Sequence, residues 1–471
     1  MRLTLVLPPF DLINAYSAGT GIKRGNLPPL GVGYLAAAAA KVGHEVCFVD
    51  PAIKGLDVAG TAAEVLGNHP DVVGISCTTK LAGPAYALAE AVKKNTPAVK
   101  VIMGGPHVTS FYEQVLRECA CLDVVVPGEG ELVLPKLLRA LEQGTPLEEV
   151  EGIIFTDAAG VIRATDKAPA IENLDDMAFP LRSIYQQEAY IPLPNQYHRL
   201  PVMTIITARG CSYGKCKFCY QGGTYAPSYR RRSPENVLEE VKELVRDYGI
   251  RELIFWDDNF CINYPWIKRF CDLLDEARIR ITWTVQARAN SVSLEMLKRM
   301  AKSGCYSVYY GLESGSQFLL DSIQKGTSLD QSRNAVRWAR KAGMEIRGSV
   351  IFGLPYDTPE LAEQTLRFVC ELNVDWLIFY PYHVKAGTAL AAIAAQEGVI
   401  LEVEEDDMMQ PSYVPKGYRD AEHLSETIKS AYRRYYLRPR YILRTLWRMR
   451  DPRRWMNYWY AFLYWRSYTA T

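Results

Sequence analysis

The feature that most restricts how this 471-residue chain can fold is an alternation of short apolar runs with helical patterns, and it occurs twice. In residues 1–150, Leu3–Leu7, Glu45–Val49, Val72–Ser76, Lys100–Met103 and Val124–Val126 read as strands. Between them Gly31–Val42, Thr61–Leu66, Pro84–Lys94 and Ser110–Glu118 have helical composition. Short, wholly apolar strands separated by helices predict a parallel sheet covered on both faces. From Pro201 the alternation restarts with Val202–Thr207, Glu252–Trp256, Thr282–Gln286, Ser307–Gly311, Arg347–Phe352 and Trp376–Tyr380. A helix is expected to open at Ser233-Pro234-Glu235, a capped start with proline in the first turn, and to run to about Tyr248. In both series glycines and polar residues collect at the carboxyl ends, where parallel α/β sheets and β/α barrels place their ligands. The expected organisation is a first α/β domain over 1–150, a linker over 151–200 with a small hairpin at Gly152–Ala164, and a partial (β/α)6 barrel over 201–385. A helical region over 386–471 completes the chain.

Length suggests two or three domains, and 48% hydrophobic with 23% charged residues is the balance of a soluble globular protein. A net charge of +1 argues against general polyanion binding. Eleven cysteines in so long a chain do not form a secreted disulfide framework, and a reducing cytoplasm is the expected setting. The apolar start breaks at Pro8-Pro9 and reads as a buried strand rather than a signal peptide.

Three of the cysteines, Cys211, Cys216 and Cys219, stand within Thr207-Ala-Arg-Gly-Cys-Ser-Tyr-Gly-Lys-Cys-Lys-Phe-Cys-Tyr220, at the end of the first barrel strand. Glycines and short polar residues let this loop turn tightly, so three thiolates can serve one centre. Structural zinc closes with four protein ligands, whereas three ligands leave a position open. Iron–sulfur clusters use closely spaced cysteines of this kind. A zinc knuckle completed by a fourth ligand elsewhere is the bland alternative.

The cluster resembles the signature of the radical S-adenosylmethionine (SAM) enzymes, whose usual spacing is Cys-x3-Cys-x2-Cys; here the first gap is one residue longer. Residues Leu27–Ala37, Gly104-Gly-Pro-His107 and Pro127-Gly-Glu-Gly-Glu131 resemble the cobalamin-binding domain that precedes many radical SAM barrels. The chain is thus similar to the cobalamin-dependent, class B methyltransferase-like radical SAM family over nearly its whole length. The resemblance implies a Rossmann-like (flavodoxin-like) first domain and a 4Fe–4S cluster on Cys211, Cys216 and Cys219. It places SAM against Phe218, Tyr220, Asp257, Asp258, Arg288, Glu313, Ser314 and Gly353. For cobalamin it implies contacts from Pro9, Ser76, Thr78, Gly104, Gly105, His107, Gly128 and Glu129. The Asp-x-His-x-x-Gly motif of better-known cobalamin proteins is absent, so cobalamin is expected to lack a histidine ligand from the protein, with His107 on the pocket wall.

The implied activity is generation of a 5′-deoxyadenosyl radical, followed by methylation of an unactivated carbon in a hydrophobic or natural-product substrate. The alternatives are a radical cyclase, ring-contracting or rearranging enzyme of tetrapyrrole or isoprenoid-lipid biosynthesis, and a non-catalytic cobalamin or metal sensor. Expected partners are a small-molecule, lipid or peptide substrate and an electron donor such as flavodoxin or ferredoxin, with no nucleic acid. From Ala431 the chain turns to arginine and aromatics, including Trp447, Trp455, Tyr458-Trp-Tyr460 and Tyr464-Trp465. That composition suits a helical cap on the barrel first, and a peripheral membrane contact second.

Overall fold

The computed structural model describes residues 1–10, 25–220, 229–401, 409–449 and 455–470. It divides into two compact units. One takes the first strand and Asn26 through Tyr190, the other takes Ile191 onward.

In the first unit five parallel strands, β1 (Arg2–Val6), β2 (Glu45–Val49), β3 (Val72–Ser76), β4 (Lys100–Gly104) and β5 (Val124–Val126), stand in the order β2-β1-β3-β4-β5. This is the flavodoxin-like order, with its switch point between β1 and β3. Both faces of the sheet are buried: Val73, Ile75, Val101 and Met103 pack on one side, and Leu3, Leu5, Ile102 and Val124 on the other. The small hairpin expected in the linker is present as β6 (Ile154–Thr156) and β7 (Ile162–Ala164). It continues the sheet antiparallel to β5. The first unit runs on to Tyr190, past the expected boundary near residue 150, because the hairpin joins the open edge of β5 and the Tyr185 and Tyr190 hydroxyls donate back to Pro29 O and Asp50 Oδ2.

In the second unit β8 (Val202–Ile205), β11 (Glu252–Phe255), β12 (Thr282–Ala287), β13 (Cys305–Glu313), β14 (Glu345–Phe352) and β15 (Trp376–Pro381) form one all-parallel sheet in the order β15-β14-β13-β12-β11-β8. The short pair β9 (Ala208–Arg209) and β10 (Arg230–Arg231) flanks the cysteine loop. Outward positions such as Met203, Leu253, Trp283, Val285 and Phe379 pack against the surrounding helices. Phe255, Phe260, Phe270 and Trp283 pack edge to face or tilted there, with centroids 4.8–6.0 Å apart. Truncating one of these rings to alanine costs about 3–5 kcal/mol. The serine-capped helix is Pro234–Tyr248, with the Ser233 hydroxyl accepting from Asn236 N–H and Gly249 in the left-handed region at its end.

The amino end of this sheet is closed by residues 195–199. Glu252, fully buried, accepts from the His198 and Arg199 backbone N–H groups at 3.0 and 3.1 Å and from Tyr306 Oη at 2.7 Å. His198 stacks on Tyr306 at 3.8 Å. Beyond the sheet, the region expected to be helical also contains a hairpin, Gly398–Ile400 with Tyr413–Pro415. It then runs as the helices Ala421–Tyr436, Pro439–Arg448 and Trp455–Ala470.

Candidate radical SAM site

The cysteine loop is fastened at its root. Beyond β8, the Thr207 and Ala208 backbone N–H groups donate to Asp257 Oδ1 at 2.6 and 3.2 Å, and the Thr207 hydroxyl donates to Oδ2. Asp257 is buried, which raises its pKa above the ordinary carboxylate value. Both of its oxygens are engaged by the root of the loop, so Asp257 anchors the cysteine segment. Asp258 lies at the exposed strand end; desolvation, then the Asp257 charge, moves its pKa upward.

Further along, the loop docks on residues 323–326. Lys217 N–H donates to Ile323 O at 3.0 Å, and Tyr213 Oη donates to Gln324 O at 2.9 Å. Gly326 has φ +64°, and a Cβ there would overlap the Tyr213 hydroxyl. Cys211, Cys216 and Cys219 are not joined in disulfides, and Cys219 N–H turns back onto Cys216 O at 3.1 Å. Among the described residues no three His, Cys, Asp or Glu side chains converge as ligands of one metal ion. A 4Fe–4S cluster makes a different demand, since each thiolate binds a separate iron.

Two cations stand beside the loop. Arg288, directly after β12, was expected at the carboxylate of SAM. It donates through Nη1 to Cys216 Sγ at 3.5 Å and through Nη2 to Lys325 O, with its guanidinium 4.0 Å from the Tyr213 ring centre. Lys325 Nζ lies 2.5 Å from Glu313 Oε1, and both side chains are 8% exposed. It also stands 5.7 Å from the Phe218 ring. Glu313 has φ +59°, a left-handed conformation unusual for a residue with a side chain. Gly311 makes room for the pair, since a Cβ there would overlap the Glu313 carboxylate and stand 3.1 Å from Lys325 Nζ. Lys325 and Gly311 are absent from the sequence-based site. The opposed charges suit the carboxylate and ammonium of SAM's methionine part, so the residues present fit that ligand.

Two further expected SAM contacts are engaged within the protein. Ser314 is buried with its hydroxyl 3.1 Å from Thr365 Oγ1, fixing the Glu313–Ser316 turn on the helix Pro359–Leu372. Gly353, at φ +76°, faces Leu424, and its N–H donates to Asp357 Oδ2 at 2.7 Å. Burial pushes that aspartate up to about 7. Phe218 packs with Leu319, Ile323 and Leu354, and Tyr220 lies 5.6 Å from Lys385 Nζ.

In the first unit the expected cobalamin residues do gather at strand ends. Gly105 has φ +103°, and a Cβ there would stand 2.6 Å from Cys77 O. Gly104 ends β4 beside Val126, and Ser76 ends β3 with Thr78 exposed two residues on. Gly128, at φ +79°, donates its N–H to Thr109 Oγ1 at 2.8 Å and has open space where a Cβ would be. Glu129 accepts from Ile171 N–H at 3.1 Å, and Pro9 is half-buried beyond β1. The His107 ring nitrogens face Tyr86 Oη at 2.9 Å and Thr79 Oγ1 at 3.4 Å, and burial lowers its pKa. Both His107 ring nitrogens are thus within reach of protein hydroxyls. Close-approaching backbone fits cobalamin held by its periphery.

This arrangement agrees with two family models, the radical SAM superfamily over residues 205–369 and the B12 binding domain over residues 23–138. The chain is 33% identical over 451 residues to a methyltransferase of Pyrococcus horikoshii described as uncharacterised, covering 95% of each chain. It is 28% identical over 447 residues to the anaerobic magnesium-protoporphyrin IX monomethyl ester cyclase of Rubrivivax gelatinosus, covering 93% of this chain and 78% of that one. Its fold matches the radical S-adenosylmethionine methyltransferase TsrM from Kitasatospora setae with a TM-score of 0.72 at 17% identity, over 93% of this chain and 89% of that chain. The chain belongs to the cobalamin-binding radical SAM enzymes. Its cofactors are a 4Fe–4S cluster, SAM and cobalamin.

Proposed function

We propose that the protein is a C-methyltransferase acting on an unactivated carbon of a small-molecule substrate. The observation that carries this reading is the end-to-end likeness to a relative named as a methyltransferase, in a chain that has both the cobalamin unit and the radical SAM unit. The cluster and SAM supply a 5′-deoxyadenosyl radical, and cobalamin supplies methyl transfer.

The chain's own residues position and shield that chemistry. Cys211, Cys216 and Cys219 would hold the cluster, three thiolates leaving a position for SAM. Glu313 would receive the SAM ammonium and Lys325 its carboxylate, since the opposed charges of the pair match the two ends of that zwitterion. Charge-assisted hydrogen bonds of this kind are about twice as strong as neutral ones. Asp257 keeps the loop in place. Gly104, Gly105 and Gly128 bring backbone close to cobalamin.

The cyclase reading remains the second one, because a relative so named aligns over 93% of the chain. Substrate class separates less cleanly. The sequence suggests a hydrophobic substrate, yet Gln286, Tyr309, Arg347 and Ser349 alternate with outward core residues along β12–β14, so a polar group on the substrate would be accommodated. No helix of the described residues is long and apolar enough to cross a membrane.

The test is anaerobic reconstitution with iron, sulfide and cobalamin, then reduction in the presence of SAM. Methyl transfer predicts 5′-deoxyadenosine and S-adenosylhomocysteine together, from two SAM molecules per turnover. Cyclisation or rearrangement predicts 5′-deoxyadenosine alone. Cys216→Ala should lose the cluster absorbance and the 5′-deoxyadenosine. A purified protein that holds zinc and leaves SAM intact would overturn the assignment.

A further inference from the structure

The helix Pro439–Arg448 is mounted with its polarity reversed. Tyr441, Arg444 and Arg448 share one helical face and point at the sheet. Tyr441 Oη donates to Asp375 O at 2.8 Å, Arg444 Nη2 to Val374 O at 2.6 Å, and Arg448 Nη1 lies 3.0 Å from Asp375 Oδ1 and 3.4 Å from Glu345 Oε2. The opposite face carries Ile442, Leu443, Leu446 and Trp447, all exposed, Leu443 to 68%. A surface helix of a globular protein normally buries its apolar stripe and shows its charges to water. Here the charges are docked and the stripe faces out.

The helix Trp455–Ala470 repeats the pattern. Asn457 donates to Tyr197 O at 3.0 Å, and Tyr458 stacks on Trp376 at 5.3 Å. Its other face exposes Trp455, Met456, Trp459 and Phe462. Both helices attach at the amino end of the sheet, through Glu345, Val374, Asp375, Trp376 and Tyr197. That is the end opposite the cysteine loop.

Charge indicates what would cover this surface. Residues 431–471 contain ten arginines, one aspartate, and no lysine or glutamate. They carry +9 in a chain whose total is +1. Exposed Arg440 lies about two turns before Trp447 on the same helical stripe, and exposed Arg466 shares the face of Trp459 and Phe462. Tryptophans on an exposed face with arginine around them suit the headgroup region of a bilayer, and a cationic segment adds attraction to anionic lipid. Arg433, Arg434, Arg444 and Arg448 pair with Glu426, Glu363, Asp375 and Glu345 outside the segment, which leaves an excess of five positive charges, so a second copy of the chain would set like charge against like. We propose that the two C-terminal helices dock the barrel, by its amino end, on an anionic membrane surface. The proposal does not depend on which reaction the enzyme performs.

The test is flotation of the full-length protein with vesicles of phosphatidylcholine alone or with phosphatidylglycerol. Binding should be at least about tenfold tighter with phosphatidylglycerol and weaken with salt. Brominated lipid should quench tryptophan fluorescence of the unmodified protein. The double variant Leu443→Glu/Trp447→Glu should cut vesicle binding at least about tenfold while keeping its cluster absorbance. Equal or absent binding to both vesicle types would overturn the proposal. So would a solution dimer that this variant dissociates, with no quenching by brominated lipid.

Discussion

The two units solve the same problem at the carboxyl ends of parallel strands, but with different materials. The first unit presents backbone: Gly104, Gly105 and Gly128, with His107 within reach of the Tyr86 and Thr79 hydroxyls. The second presents charge: Glu313 against Lys325, Arg288 against Cys216, and Asp257 under the loop. Backbone recognition depends on close approach, so it fails sterically. Charge recognition depends on pairing in a dry site, so it fails electrostatically. Substitutions in the two units should therefore fail in separable ways.

The largest expected effect breaks the charged side. Removing one partner of a buried ion pair leaves the other uncompensated and costs about 3–5 kcal/mol. Glu313→Gln should therefore lower thermal stability and abolish measurable SAM binding. Lys325→Met added to it should recover most of the stability, because both charges are then gone, but not SAM binding. Calorimetric titration with SAM alongside a melting curve reads both. Recovery of SAM affinity in the double variant would show that the pair is structural only.

On the backbone side, Gly105→Val adds a Cβ against Cys77 O at a φ of +103° that valine does not tolerate. Strain of this kind costs about 1–3 kcal/mol. The variant should lose cobalamin retention through gel filtration while its cluster absorbance stays at the parent level. Loss of both signals together would mean that the two units do not fail separately.

What the sequence revealed follows from the range of the interactions involved. Local patterns gave β2, β3 and β5 to the residue, and Pro234–Tyr248 from its cap. Val202–Thr207 ran two residues too long, because Asp257 takes the Thr207 N–H and hydroxyl out of the strand. The hairpin at 154–164 was legible, but its place on the edge of β5 was not, since nothing local names a partner strand. The site divides the same way. The cysteine loop, Glu313 and Gly105 are written in contiguous motifs. Arg288 finds Cys216 72 residues away, and Ser314 finds Thr365 51 residues away. Lys325 sits in no motif, and only the fold brings it to Glu313.

The smallest expected effect sharpens the charged side without dismantling it. Arg288 Nη1 donates to Cys216 Sγ, and a cationic donor to a cluster ligand stabilises the more negative, reduced cluster over the oxidised one. Arg288→Met keeps length and apolar bulk but removes the donor and the charge. A hydrogen bond from a charged group contributes roughly 1.5–3 kcal/mol, which for one electron corresponds to a potential lower by roughly 65–130 mV. Redox titration followed by electron paramagnetic resonance should show that shift in the absence of SAM. Arg288→Lys, which restores charge but not the planar fork, should return part of it. If Arg288 instead served only to hold the loop against Tyr213, both variants would lose cluster content and leave the potential of the remaining clusters unchanged. If it contacted the SAM carboxylate, the potential without SAM would stay put and the SAM affinity would fall. The three outcomes are distinct, so a single pair of variants decides which role the guanidinium plays.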